Sequence, residues 1–441
     1  MALVTLSAGE RAKLRLTIMI FFGGAVFVLT VITRLCILVR GKYIWLRMGA
    51  MVNEADKIRR LRAEDKKLKK YGLLEPPARD SGYTHRERYW RTMHFKGVDR
   101  IPNHEFGYWS ETLQRWHNEG LPKEVDCDWK ADIFFGFDPT GSVPMDLGWR
   151  PAFEHIVLEE TDRYKIIRGS DGVKCMVYKD GSSSIPHYIE FPLKGREDWP
   201  DIKRRLDPND PARYNYDWEA IGESTHKADI PIGISIGSLF GWIRNWMGFE
   251  TVSLTCYDDP DLIEEIMEHL TVLITTLLQH ALKYAKVDYA LGWEDMAFNH
   301  GPIISPAMFE KWMVPRYKRI TDILHKHGID VVIVDCDGNI NSLVELWLAG
   351  GVNCMFPLEI NSGSDPVALR EKFGQEVLLA GGIDKIQLAK GKKEIEREIE
   401  RVRKTVESGG YIPHVDHRCP ADVSYDNYLY YLSVKKTAFG L

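Results

Sequence analysis

At 441 residues, with 44% apolar and 27% charged side chains, the chain has room for two or three ordinary domains or one large α/β barrel, and global disorder is excluded. Seven cysteines (Cys36, Cys127, Cys175, Cys256, Cys336, Cys354 and Cys419) are scattered without a CxxC pair, which excludes a zinc ribbon and argues for a reducing compartment. The formal charge of −5 is unevenly divided: residues 1–70 carry 15 Lys/Arg against 5 Asp/Glu, a net of +10, so the rest carries −15.

The chain opens on a basic leader. Residues 16–33, LTIMIFFGGAVFVLTVIT, contain no charge. As a helix they would span about 27 Å, close to the hydrocarbon thickness of a bilayer. Past Arg34 the apolar run continues to Val39, so the expectation is a single-pass transmembrane helix over 16–39 within an N-terminal segment 1–47. Arg34, Arg40, Lys42 and Arg47 closely follow the uncharged stretch 16–33, which predicts that the bulk of the protein stays on the cytoplasmic side. The competing reading starts translation at Met48 or Met51 and leaves a cytoplasmic protein. Residues 48–85 read as a basic helical linker whose segment 57–70, KIRRLRAEDKKLKK, suits anionic lipid. Lacking interleaved aromatics, it does not suggest nucleic acid.

From residue 86 onward, short apolar runs alternate with amphipathic stretches. Strands are expected at 101–108, 131–137, 231–236, 287–293, 330–335, 352–357, 377–381 and 411–415. Asp259-Pro260, Ser305-Pro306 and Asp365-Pro366 each set a capping side chain before a proline at the first helical position. Gly328, Gly350 and Gly374 mark helix ends. Strand–helix alternation with short connections predicts a parallel sheet covered by helices, here a (β/α)8 TIM barrel over 86–441. Residues 152–192 break the rhythm with turn signals at Ser170-Asp171-Gly172 and Lys179-Asp180-Gly181, and read as a β-hairpin insertion.

In such a barrel the chemistry lies at the C-terminal ends of the strands. Those ends carry His104 and Glu105, then Trp293, Glu294 and Asp295, then Asp335, Cys336 and Asp337, then Glu359, and finally His414, Asp416, His417 and Cys419. Asp335 and Asp337, two apart, point to one side of a continued strand and with His417 form a candidate metal set. Turn and capping chemistry is the competing reading for both aspartates. Glu294 and Asp295 are candidate acid/base groups. The pair Gly381-Gly382 suits a close backbone approach to a ligand.

The segments RERYWRTMHFKGVDRIP, GSLFGWIRNWMGFE, WEDMAFNHGPIISPAMFEKWMVPRYKRI, DCDGNI, GGIDK and GGYIPHVDHRCPADVSYDNY carry a family likeness. From about Arg86 onward the chain resembles the uroporphyrinogen decarboxylase superfamily, which includes the corrinoid methyltransferases. The resemblance implies a (β/α)8 barrel with a cleft for a tetrapyrrole or a small methylated substrate. In the decarboxylases an arginine-rich segment follows the first strand; here NHEFGYWSETLQRW stands there. In the methyltransferases a His-x-Cys motif and a later Cys hold zinc; here Asp335, Asp337 and His417 occupy those places. The implied activity is therefore methyl transfer between a small methylated substrate and a corrinoid on a partner protein. Glu294, Asp295 and His417 are the expected catalytic residues. His104, Glu105, Phe240, Trp242, Trp293 and Glu359 are expected to bind substrate. Asp335, Asp337 and His417 are expected to bind a divalent metal, zinc or another. The alternatives are uroporphyrinogen decarboxylation, which needs no cofactor, and a non-enzymatic tetrapyrrole-binding or docking barrel.

Overall fold

The computed structural model describes residues 52–77, 81–180 and 185–441 with their side chains, and the backbone alone of 15–18, 21–22, 25–26, 29–32 and 41–51. Its centre is a curled sheet of seven strands: Gly141–Val143, Ile232–Ser235, Tyr289–Trp293, Val332–Asp335, Cys354–Phe356, Leu378–Ile383 and Tyr411–Val415. Every pair is parallel and each strand lies beside its neighbour in the chain. That order demands a crossover at every step, and helices such as Pro260–Ala281 and Lys392–Glu407 supply the outer layer. Register brings Trp293 beside Asp335 and Asp335 beside Phe356, so polar strand ends share one rim.

The sheet is a TIM-like curl rather than eight regular strands. The expected strand 101–108 has no ladder, because Pro102 lacks a donor and Gly107 takes φ 118° against the Asp128 carboxylate. The segment still bridges the gap. The amide of Asp138 donates to the Asn103 carbonyl (2.9 Å), that of Cys419 to the Gly107 carbonyl (2.9 Å), and Tyr108 bridges to Cys419. The expected strand 131–137 is instead the helix Asp128–Phe135, whose buried Ala131, Phe134 and Phe135 follow helical spacing. Gly136 ends it at φ 78°. The strand in its place, Gly141–Val143, is too short to stand out.

Helix signals fare better. Asp259, Ser305 and Asp365 cap as expected, accepting from the amides of Leu262, Met308 and Val367. Gly328 (φ 75°) and Gly374 (φ 57°) end their helices, whereas Gly350 keeps helical angles and Gly351 makes the left-handed turn. The insertion is a four-stranded antiparallel sheet of Ile156–Glu160, Tyr164–Arg168, Lys174–Tyr178 and His187–Glu190.

The N-terminal expectation changes. Among the described residues no helix is long and apolar enough to cross a membrane. Within 16–39 the described pieces are short antiparallel strands, Arg15–Ile18 with Leu29–Ile32 and Phe21–Phe22 with Ala25–Val26. Residues 19–20, 23–24, 27–28 and 33–40 lie outside the described set. The basic segment belongs to the helices Gly41–Glu64 and Lys66–Lys70, which pack onto the barrel through fully buried Ile58 and Leu68. The Arg62 guanidinium donates to the carbonyls of Phe134 (2.5 Å) and Leu73 (2.8 Å).

Candidate active site and metal centre

The strand Tyr289–Trp293 delivers two carboxylates to the rim with different outcomes. Glu294 is fully buried. It accepts from the amides of Leu239 (2.8 Å), Phe240 (2.8 Å) and Gly241 (2.9 Å), from Ser238 Oγ (3.1 Å), and from the Tyr317 hydroxyl. It thus caps the helix Phe240–Met247, which has no cap from its own N-cap residue. Burial pushes its pKa up against the pull of those donors. The expectation that Glu294 is an acid/base group gives way to a fold-holding role. Phe240, also fully buried, is core rather than a substrate wall.

Asp295 turns the other way, at φ 44°. Its Oδ1 accepts the Asp337 amide (3.1 Å) and its Oδ2 lies 3.3 Å from Arg244 Nη2. Burial first, then the Asp337 charge, raises its pKa. Asp335 is raised well above the carboxylate range by burial and by Asp337 and Asp295.

Among the described residues, metal-ligating atoms converge at Asp337, Glu359 and His417, all within 4.8 Å of one another. Of the residues expected to bind a metal, Asp337 and His417 stand in this group and Asp335 does not; its third member is Glu359, expected to bind substrate. His417 Nε2 lies 3.1 Å from Asp337 Oδ2, and its ring stacks on Trp109 (5.4 Å between centroids) and meets the edge of Phe106 (5.5 Å). Burial lowers the His417 pKa, but Asp337 raises it further, so the net shift is upward. Glu359 accepts from the Gly338 amide (3.0 Å) and from Lys385 Nζ (2.8 Å). Lys385 also lies 3.4 Å from fully buried Asp416, whose pKa burial lifts to about 6. Two carboxylates and an imidazole form an oxygen-rich set that fits a divalent cation of borderline or hard character. Thiolate ligation does not fit. Cys336 Sγ is buried and accepts the Met296 amide (3.3 Å), while burial pushes the Cys336 and Cys419 thiols far up.

Above this set lies a cavity of about 380 Å³ lined by Arg244, Asp295, Asn299, His300, Asp337 and Glu359, with the hairpin Ala297–Phe298/Gly301–Pro302 on one side. Trp293 lies under the Arg244 guanidinium (5.4 Å), and Trp242 stacks on Trp246 (6.0 Å). Glu105 is not free for substrate: Lys435 Nζ (2.6 Å) and the Tyr431 hydroxyl (2.7 Å) occupy it in the core. His104 lines a second cavity inside the barrel. The glycine pair serves the fold, since the Gly382 amide donates to the Pro357 carbonyl (2.9 Å) and a Cβ at Gly381 would strike that carbonyl. Sequence reasoning missed Arg244, Lys385, Trp109 and Phe106 as site residues. Their only signal was position within GWIRNW, GGIDK and HEFGYW at strand ends.

A family model described as Uroporphyrinogen decarboxylase (URO-D) matches residues 176–436. Among solved structures the chain is similar to a methyltransferase from Methanosarcina mazei, at 15% identity over 81% of this chain and 98% of that one, TM-score 0.48. It is also similar to a B12-independent methionine synthase from Shewanella sp. W3-18-1 in complex with selenomethionine, at 13% identity over 64% and 74%, TM-score 0.35. The family match spans well over half of the 441 residues and contains the strand ends that bear Asp295, Asp337, Glu359 and His417, and the chain belongs to the uroporphyrinogen decarboxylase family.

Proposed function

We propose that this chain is a methyltransferase of its family, moving a methyl group between a small methylated substrate and a corrinoid carried by a partner protein. The observation that carries the reading is the convergence of Asp337, Glu359 and His417. These residues would hold a divalent metal, which when bound supplies Lewis-acid activation of a substrate heteroatom. Lys385 orients Glu359, and Asp295 fixes the Asp337 backbone while facing the cavity. With its raised pKa, Asp295 serves as the acid/base that exchanges a proton with the substrate heteroatom.

Decarboxylation of an octacarboxylate is the weaker reading. Binding such an anion calls for uncommitted cations. Arg244 is paired with Asp295, Lys385 with Glu359, and Arg418 with Asp128 (2.6 Å). The test incubates the zinc-loaded protein with methylated amines, thiols and ethers plus free reduced corrinoid, following the corrinoid absorbance. Donor-dependent methylation that is lost in Asp337→Ala is expected; release of CO2 from uroporphyrinogen instead would overturn the reading.

A further inference from the structure

TIM-barrel interiors are ordinarily filled by layers of side chains. This one is not. Leu291, in the middle of an inner strand, is 39% exposed, and its ladder partner Ser235 is exposed as well. Below the rim lies a chamber of about 200 Å³, walled by Leu291, Ile333, Phe356, Ala380 and Ile412 and closed by Tyr89 and Met93. An engineered apolar cavity of about 150 Å³ is known to accept benzene.

Polar groups line the chamber as well: His104 and Asp132 stand in its wall, and the Tyr89 ring stacks on His104 (6.4 Å between centroids). The Tyr89 hydroxyl is buried and has no hydrogen-bond partner among the described residues. Leaving such a group unpaired is unfavourable, and a ligand's polar atom would pair it. No charge awaits an ion there. Burial lowers His104 to about 4 and His414 to about 3, so both rings are neutral at pH 7. Burial, with Asp128 and Glu105 nearby, raises the pKa of Asp132 and disfavours its charged form. The remaining carboxylates, Glu105 and Asp138, are held by Lys435 (2.6 Å) and Arg100 (2.6 Å).

We infer that this chamber binds a small uncharged molecule about the size of one substituted aromatic ring, apolar along its length and with a hydroxyl-like group at the Tyr89 end. Phe356 forms part of its wall and packs on Phe106 (4.5 Å), whose ring meets His417 (5.5 Å), so the far end of the ligand lies toward the metal-ligating group. Identifying that ligand with the methyl-bearing substrate rests on the methyl-transfer reading; binding itself does not.

The test is calorimetric titration of the full chain with phenol, benzene and benzoate, with zinc binding measured on the same samples. Saturable phenol binding is expected, about tenfold tighter than benzoate. Ala380→Met, which fills the chamber, should abolish phenol binding and keep zinc binding. Tyr89→Phe, which preserves the volume, should weaken phenol about fivefold and leave benzene unchanged. No saturable phenol binding, benzoate as tight as phenol, or undiminished phenol binding in folded Ala380→Met would each overturn the inference. If Ala380→Met fails to fold, the Tyr89→Phe result decides. Phenol binding without zinc binding would overturn the metal centre and leave the chamber standing.

Discussion

At the end of the strand Tyr289–Trp293 two adjacent carboxylates separate because the backbone turns between them, Asp295 adopting φ 44°. Glu294 goes inward to three amides and two hydroxyls; Asp295 goes outward to the rim. Replacing Glu294 by Gln exchanges acceptors for donors opposite buried donors, so stability should fall by about 1–3 kcal/mol in urea unfolding. Unchanged stability with lost turnover would instead make Glu294 catalytic. A second residue-scale prediction concerns Asp99, held bidentately by Arg88 (2.9 Å for each bond) in a buried pair. Burial raises this carboxyl, and hydrogen bonds from Arg88, Ser81 and Arg100 more than reverse that, leaving it below the ordinary range. A depressed carboxyl stabilises the fold above its unfolded pKa of about 4, and the benefit is lost as pH falls through the folded value. Asp99→Asn should therefore cost about 3–5 kcal/mol at pH 7 and progressively less below pH ~4, read by thermal melts across pH. A pH-independent difference would contradict the assignment. The sequence disclosed which residue types crowd the rim, yet not their partners. Nothing local distinguishes Asp335 from Glu359 as a candidate ligand; the turn after Phe356, with Leu358 at φ 65°, sets Glu359 against the Gly338 amide and beside Asp337 and His417.

Strands flanked by clear turns were legible as elements, and the six from Ile232–Ser235 to Tyr411–Val415 fall where apolar runs predict them. The first two expected strands were not, because their local patterns mislead. Residues 101–108 fill a strand's place without its ladder, and DIFF at 132–135 is apolar enough for either period. The N-terminal helix shows the same limit: basic composition suggested a helical linker suited to anionic lipid, but helical spacing buries Ile58 against the barrel. Ile58→Ala should destabilise the protein by about 2–4 kcal/mol in chemical denaturation. A change within about 0.5 kcal/mol would mean the helix contributes nothing to the barrel's stability.

For the whole molecule, the average charge of −5 conceals an acidic body whose carboxylates gather at the strand ends. Family membership follows from the match over residues 176–436, while the chemistry depends on what the rim holds. Arg244 and Lys385 are paired with Asp295 and Glu359, and Asp337 and Glu359 close on the imidazole of His417. The most direct measurement is metal content after equilibration with zinc or manganese and dialysis, for the wild type and for Asp337→Ala, Glu359→Ala and His417→Ala. About one divalent ion per chain in the wild type, with affinity reduced at least ~10-fold in each variant, is the predicted result. A wild type that retains no ion, or variants that retain it fully, would contradict the metal centre on which the proposed chemistry stands.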